Sequence, residues 1–133
     1  MLKEKAKILG LDYGDQRVGV ALASKDSMAA PYLVLKNKSF DFLLAELKKI
    51  IESEEIEAIV VGLPHSLSGQ VNQRLLTTEK FVERLREKIN LEIFTVDEQY
   101  TSKLYTQQGV TKDLDKYAAT AILETWLEQN KNA

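Results

Sequence analysis

The chain has 133 residues, enough for one domain to bury a core without staples, and its composition (44% apolar, 29% charged, two prolines) is that of an ordinary globular protein. It has no cysteine, which excludes disulfides and thiolate metal centres and fits a reducing cytoplasm. No apolar run approaches the roughly 20 residues of a membrane span, and the N-terminal apolar segment is too short and interrupted for a signal peptide. Eighteen basic against twenty acidic residues leave a formal charge of −2. That differs from the basic balance of a dedicated nucleic-acid binder, but is compatible with a local basic face or a carboxylate cluster offset by bound metal.

Two strand patterns come first, Ala6 to Asp12 and Arg17 to Ala23, with Gly14 and Asp15 between them suiting a tight antiparallel turn. A third short run, Pro31 to Leu35, extends this hairpin to a three-stranded meander. The period then changes: Phe40, Leu43, Leu44, Leu47, Ile50 and Ile51 recur at helical spacing, with Ser39 or Asp41 as cap. Ala58 to Gly62 (AIVVG) is a continuous apolar run, as in a strand covered on both faces. A second helix carries Val71, Leu75, Val82, Leu85 and Ile89, and a fifth strand spans Leu91 to Val96. A short helix is expected after Thr101. The chain closes with a helix from about Leu114 to Glu128 and a frayed Gln-Asn-Lys-Asn tail. The order βββαβαβα predicts an α/β fold, a mixed five-stranded sheet with helices on its faces, in a single domain spanning residues 1–133.

Three acids stand where polarity changes abruptly: Asp12 ends the first strand, Glu98 (beside Asp97) ends the fifth, and Asp115 opens the last helix. Taken singly, such residues commonly start turns or cap helices. Taken together they mean more. If the first and fifth strands lie side by side through right-handed crossovers, their carboxyl ends meet where open α/β sheets place their sites. Converging carboxylates repel and need a cation, and oxygen-only ligands point to Mg²⁺ or Mn²⁺ rather than zinc. Spacing alone leads as far as a candidate metal site.

The segments GLDYGDQRVGVALAS, VVGLPHSLSGQ, VDEQYTS and LDKYAATAILETWLE, in that order, resemble the YqgF (RuvX-like) family over about Ile8 to Leu127. The resemblance implies a ribonuclease H-like fold and a hydrolase acting on nucleic acid. Members are described as nucleases that process the 5′ end of pre-16S ribosomal RNA and as Holliday junction resolvases. The family's acids fall on Asp12, Glu98 and Asp115, which implies catalytic and Mg²⁺- or Mn²⁺-binding roles for these three. Ala118 and Ala119 fix the register that selects Asp115 over Asp113. Two departures remove positive charge near the expected phosphate path: Gln99 stands where the family commonly has Arg, and the basic stretch before the last Asp is shortened to TKDL.

Arg17 suits a bidentate phosphate contact, Arg74 in the second helix presents charge to a nucleic-acid backbone, and Thr101 after Glu98 lines the site or caps the short helix. His65, the only histidine, reads as a loop residue, and the Glu/Lys/Arg alternation along the second helix as a solvated face. The expected partner is nucleic acid, pre-rRNA or branched DNA, met by a cytoplasmic monomer or homodimer that does not enter membranes. Junction resolution requires the dimer, because a two-fold substrate demands two sites. Two further readings differ in class. One is nucleotide binding, after the D-x-G likeness to actin-like ATPases, although 133 residues lack room for their second phosphate loop. The other is a catalytically idle nucleic-acid-binding protein.

Overall fold

A computed structural model describes residues 6–24, 28–64, 72–98 and 114–130, with the side chains of residues 114–116 outside the description. Among the described residues there are five strands: β1 (Lys7–Tyr13), β2 (Arg17–Ser24), β3 (Ala30–Lys36), β4 (Ile56–Leu63) and β5 (Glu92–Asp97). The helices among the described residues are α1 (Phe40–Glu54), α2 (Gln73–Lys88) and α3 (Leu114–Asn130). The short helix expected after Thr101 lies outside the described residues.

The strands form one sheet in the order β3-β2-β1-β4-β5. β1 pairs antiparallel with β2, and β2 with β3, whereas β1–β4 and β4–β5 are parallel. The expectation that β1 and β5 are neighbours is therefore corrected, since β4 separates them. Burial explains this order. The fourth strand, IEAIVVGL, is buried at Ala58, Ile59, Val60 and Val61 on both faces and takes an interior place. β5 exposes Glu92 and Thr95 and takes the edge. The carboxyl ends of all three parallel strands still point to one edge.

Alternation along β1 divides its side chains between two cores. Leu9 and Leu11 join Leu43, Leu47, Phe81 and Leu85 under α1 and α2. Ile8 joins Ala58, Val60, Ala119, Ile122, Leu123 and Trp126 under α3. The β1–β4 ladder contains one irregularity: Lys7 pairs with Ile56 but Ile8 with Ala58, so Glu57 is an extra residue on β4. At the opposite edge, Pro31 and a second irregularity at Tyr32 interrupt β3, a common protection of an exposed strand against further pairing.

Ser39 caps α1, its hydroxyl accepting from the Phe42 N–H at 3.1 Å, and Glu55 ends the helix in the left-handed region at φ 55°. Asn72 caps α2, its side chain accepting from the Leu75 N–H at 2.7 Å and donating to the Pro64 carbonyl at 3.2 Å. α3 runs through Gln129 and Asn130, two residues expected to fray. The Asn130 side-chain amide donates to the Trp126 carbonyl at 2.8 Å and holds the last turn.

α3 sits unusually close to the sheet because β1 offers it Gly10. A Cβ there would lie 2.4 Å from Leu123 Cγ and 3.0 Å from the Ala119 carbonyl oxygen. Gly10→Ala is expected to destabilise the protein by about 1–3 kcal/mol, since backbone as well as side chain must retreat. Urea denaturation against wild type measures the loss.

Candidate nucleic-acid-cleaving site

Asp12 is the sixth residue of β1 and pairs with Gly19 of β2. By alternation it lies on the α3 face, in line with Ile8 and Gly10. It is only 7% exposed, a costly place for a carboxylate unless the site compensates the charge. Asp12 keeps interactions of its own, while its Oδ1 is buried and accepts no hydrogen bond among the described residues.

Glu98 directly follows β5 and is likewise 7% exposed. It shares the parity of Val96, which packs in the core under α3. Its side chain lies across the end of β4, where the position of a Gly62 Cβ would be 2.8 Å from Glu98 Cγ and 2.4 Å from Ile122 Cδ1. Gly62 thus opens the space that Glu98 occupies. Asp12 and Glu98 share one face and one edge of the sheet, although β4 runs between their strands.

The first turn of α3 includes Asp115, one turn before Ala119, whose carbonyl approaches Gly10. The Asp115 side chain lies outside the described residues, as do Thr101, Gln99, His65 and the TKD of the shortened loop. Among the described residues no group of three acids or histidines converges, so two of the three expected carboxylates can be located by side chain.

Arg17 opens β2, is exposed and pairs with Lys36. Because β2 runs antiparallel to β1, Arg17 stands at the edge where Asp12 ends. It also shares the parity of Gly19, Asp12's partner. Arg74 is exposed in the first turn of α2, in the layer that covers the opposite face. The fold therefore brings Arg17, and not Arg74, to the face of the carboxylates. Sequence reasoning missed two supports. In the sequence Gly62 stands only as the end of the apolar run AIVVG and as part of the segment VVGLPHSLSGQ, with no role of its own. Asn37 clasps the β1–β2 connection, its side-chain amide donating to the Gly14 carbonyl at 2.7 Å and its backbone N–H to Gln16 O at 2.9 Å. No periodicity distinguishes such residues, because their contacts are far away in sequence.

A mixed sheet of this order, antiparallel through β3-β2-β1 and parallel through β1-β4-β5, is that of the ribonuclease H-like fold, and it carries two buried acids at its carboxyl edge. Solved structures agree on the fold. Thermus thermophilus RuvC in complex with a Holliday junction substrate superimposes with a TM-score of 0.63 at 12% identity, covering 95% of this chain and 96% of that one. The yeast mitochondrial Holliday junction resolvase Ydc2 does so at 0.57 and 13% identity, covering 99% and 84%. The chain belongs to the RuvX family, described as Holliday junction resolvase, whose model matches residues 6–129. Relatives carrying the name "Putative pre-16S rRNA nuclease" include one from Maridesulfovibrio salexigens, 37% identical over 91% of this chain and 97% of its own length. Another, from Desulforudis audaxviator, is 35% identical over 95% and 96%.

The close approach at Gly62 yields a prediction. Gly62→Ala is expected to cost about 1–3 kcal/mol and to couple with Glu98→Ala, because removing the Glu98 side chain relieves part of the clash. A double-mutant cycle by denaturant unfolding should give an interaction energy of at least about 0.5 kcal/mol; strict additivity would contradict the packing described.

Proposed function

We propose that this chain is a divalent-metal-dependent nuclease that hydrolyses phosphodiesters at the 5′ end of pre-16S rRNA, acting as one domain in the cytoplasm. The observation that carries the reading is the placement of Asp12 and Glu98, both buried, on one sheet face at one edge. The donor set fits Mg²⁺ or Mn²⁺: carboxylate oxygens, with no cysteine in the chain and no histidine among the described residues. Asp12, Glu98 and Asp115 would hold the ion. When bound, it supplies a Lewis acid that activates water and stabilises the leaving oxygen of a phosphodiester.

The residues themselves do the rest. Buried carboxylates keep a fixed orientation and raise the local demand for a cation, which a solvated acid would not do. Arg17 is exposed at the same edge and would grip a non-bridging phosphate oxygen pair with its forked guanidinium. Thr101 would add a hydroxyl to that phosphate. Arg74, on the other layer, would meet the nucleic-acid backbone away from the scissile bond. Among the described residues no helix is long and apolar enough to cross a membrane, which is compatible with a cytoplasmic substrate.

Junction resolution is the second reading, favoured by the description of the family whose model matches. It requires two copies with their sites related by a two-fold axis, as the substrate's symmetry demands. A monomer would suffice for the rRNA leader.

Cleavage of a pre-16S 5′ leader and of a four-way junction, assayed side by side with Mg²⁺, separates the readings. Asp12→Asn is expected to lower the rate on the true substrate by at least the roughly 10- to 100-fold that loss of an outer-shell partner costs a metal site. Chelation should abolish the activity and added Mg²⁺ or Mn²⁺ restore it. Equal rates for Asp12→Asn and wild type would remove Asp12 from the site.

A further inference from the structure

We propose that the cleft between the β1–β2 turn and the α1/α2 layer receives an unpaired nucleobase of the substrate strand, adjacent to the phosphate held at the carboxylate edge. The inference rests on the nuclease reading, and it adds a base-binding site on the opposite face of the same edge. The cleft encloses about 950 Å³, within the range of small-molecule sites. Its floor is aromatic. Tyr13 stacks on Phe81 with centroids 4.1 Å apart and planes 22° from parallel, and Phe40 meets Phe81 edge-on at 6.2 Å. The Arg84 guanidinium carbon lies 3.9 Å from the Phe40 ring centroid, a cation–π contact that places a planar cation on the wall of the cleft. Leu76, 44% exposed, forms an apolar wall.

Charge decides which part of a nucleotide fits. The lining holds three acids, Asp15, Glu79 and Glu83, against two bases, Lys80 and Arg84, so it does not attract a phosphate. A neutral, planar, hydrogen-bonding group suits it. Flat surfaces offer stacking, and the Gln73 amide and Thr77 hydroxyl line the cleft as polar contacts. The position follows from strand geometry. Asp12 and Tyr13 are consecutive in β1, so their side chains project to opposite faces at the same edge. A nucleic-acid strand crossing that edge would present a phosphate to Asp12 and a neighbouring base to Tyr13.

The test uses the full chain and an uncharged probe, adenosine, titrated to millimolar concentration while amide NMR shifts are followed. Shifts centred on Phe40, Leu76, Thr77 and Arg84 are expected, and absence of shifts or shifts confined elsewhere would overturn the proposal. In Asp12→Asn protein, which removes cleavage from the readout, affinity for a fluorescent single-stranded RNA should fall roughly tenfold on Arg84→Ala or Leu76→Ala, the scale of one lost stacked base. Both positions are exposed, so circular dichroism should remain that of the parent. The same substitutions should leave affinity for an abasic RNA of equal length unchanged. Equal losses for intact and abasic RNA would sink base binding. The nuclease reading stands or falls separately on cleavage by the unmutated protein.

Discussion

The close seating of α3 on the sheet is the constraint on which the site depends. At Gly10 and Gly62 the helix approaches within distances that no Cβ allows, and Ala119, Ile122 and Leu123 occupy the space so released. Dense packing of this kind transmits displacement instead of absorbing it. A retreat of α3 would move its first turn, which contains Asp115, and would disturb Ile122 where it shares the Gly62 gap with Glu98. Stability of one face and geometry of the carboxylate edge are thus the same packing problem.

Two buried acids near the end of such a sheet are costly in the absence of a compensating charge. Asp12 and Glu98 are buried at that end, while the other buried groups among the described residues are almost wholly apolar. Thr78, also buried, illustrates the ordinary solution: its hydroxyl donates to the Arg74 carbonyl of its own helix at 2.8 Å. At Asp12 the carboxylate keeps interactions of its own, and only its Oδ1 accepts no hydrogen bond among the described residues.

The elements were largely legible in the sequence because each strand is an apolar run and each helix an apolar stripe. AIVVG announced a doubly covered strand, and Ser39 announced the start of α1. Lateral strand order was not legible, since periodicity records which faces are buried and not which strand lies beside which. Hence β4 lies between β1 and β5, two strands whose sequences alone allow them to be neighbours. Asp12 and Glu98 were legible as abrupt changes of polarity. Gly62 and Asn37 were not, because a missing side chain and a single amide acquire meaning only against Glu98 and Gly14, 36 and 23 positions away respectively. Asp115 was selected through the alanine register, and its backbone lies in the first turn of α3.

The extra residue Glu57 has a consequence for phase. Before it, Ile56 packs beneath α1 and α2; after it, Ala58 packs beneath α3, although both carry even numbers. The irregularity acts as a half-period shift in the pleat, reversing the sense in which every later side chain of β4 points. With an uninterrupted ladder, Val61 in place of Gly62 would face Glu98 and the helix, and a branched side chain would fill the gap. One unpaired residue near the opposite end of the strand therefore sets, about five residues away, whether there is room for an acid at the edge.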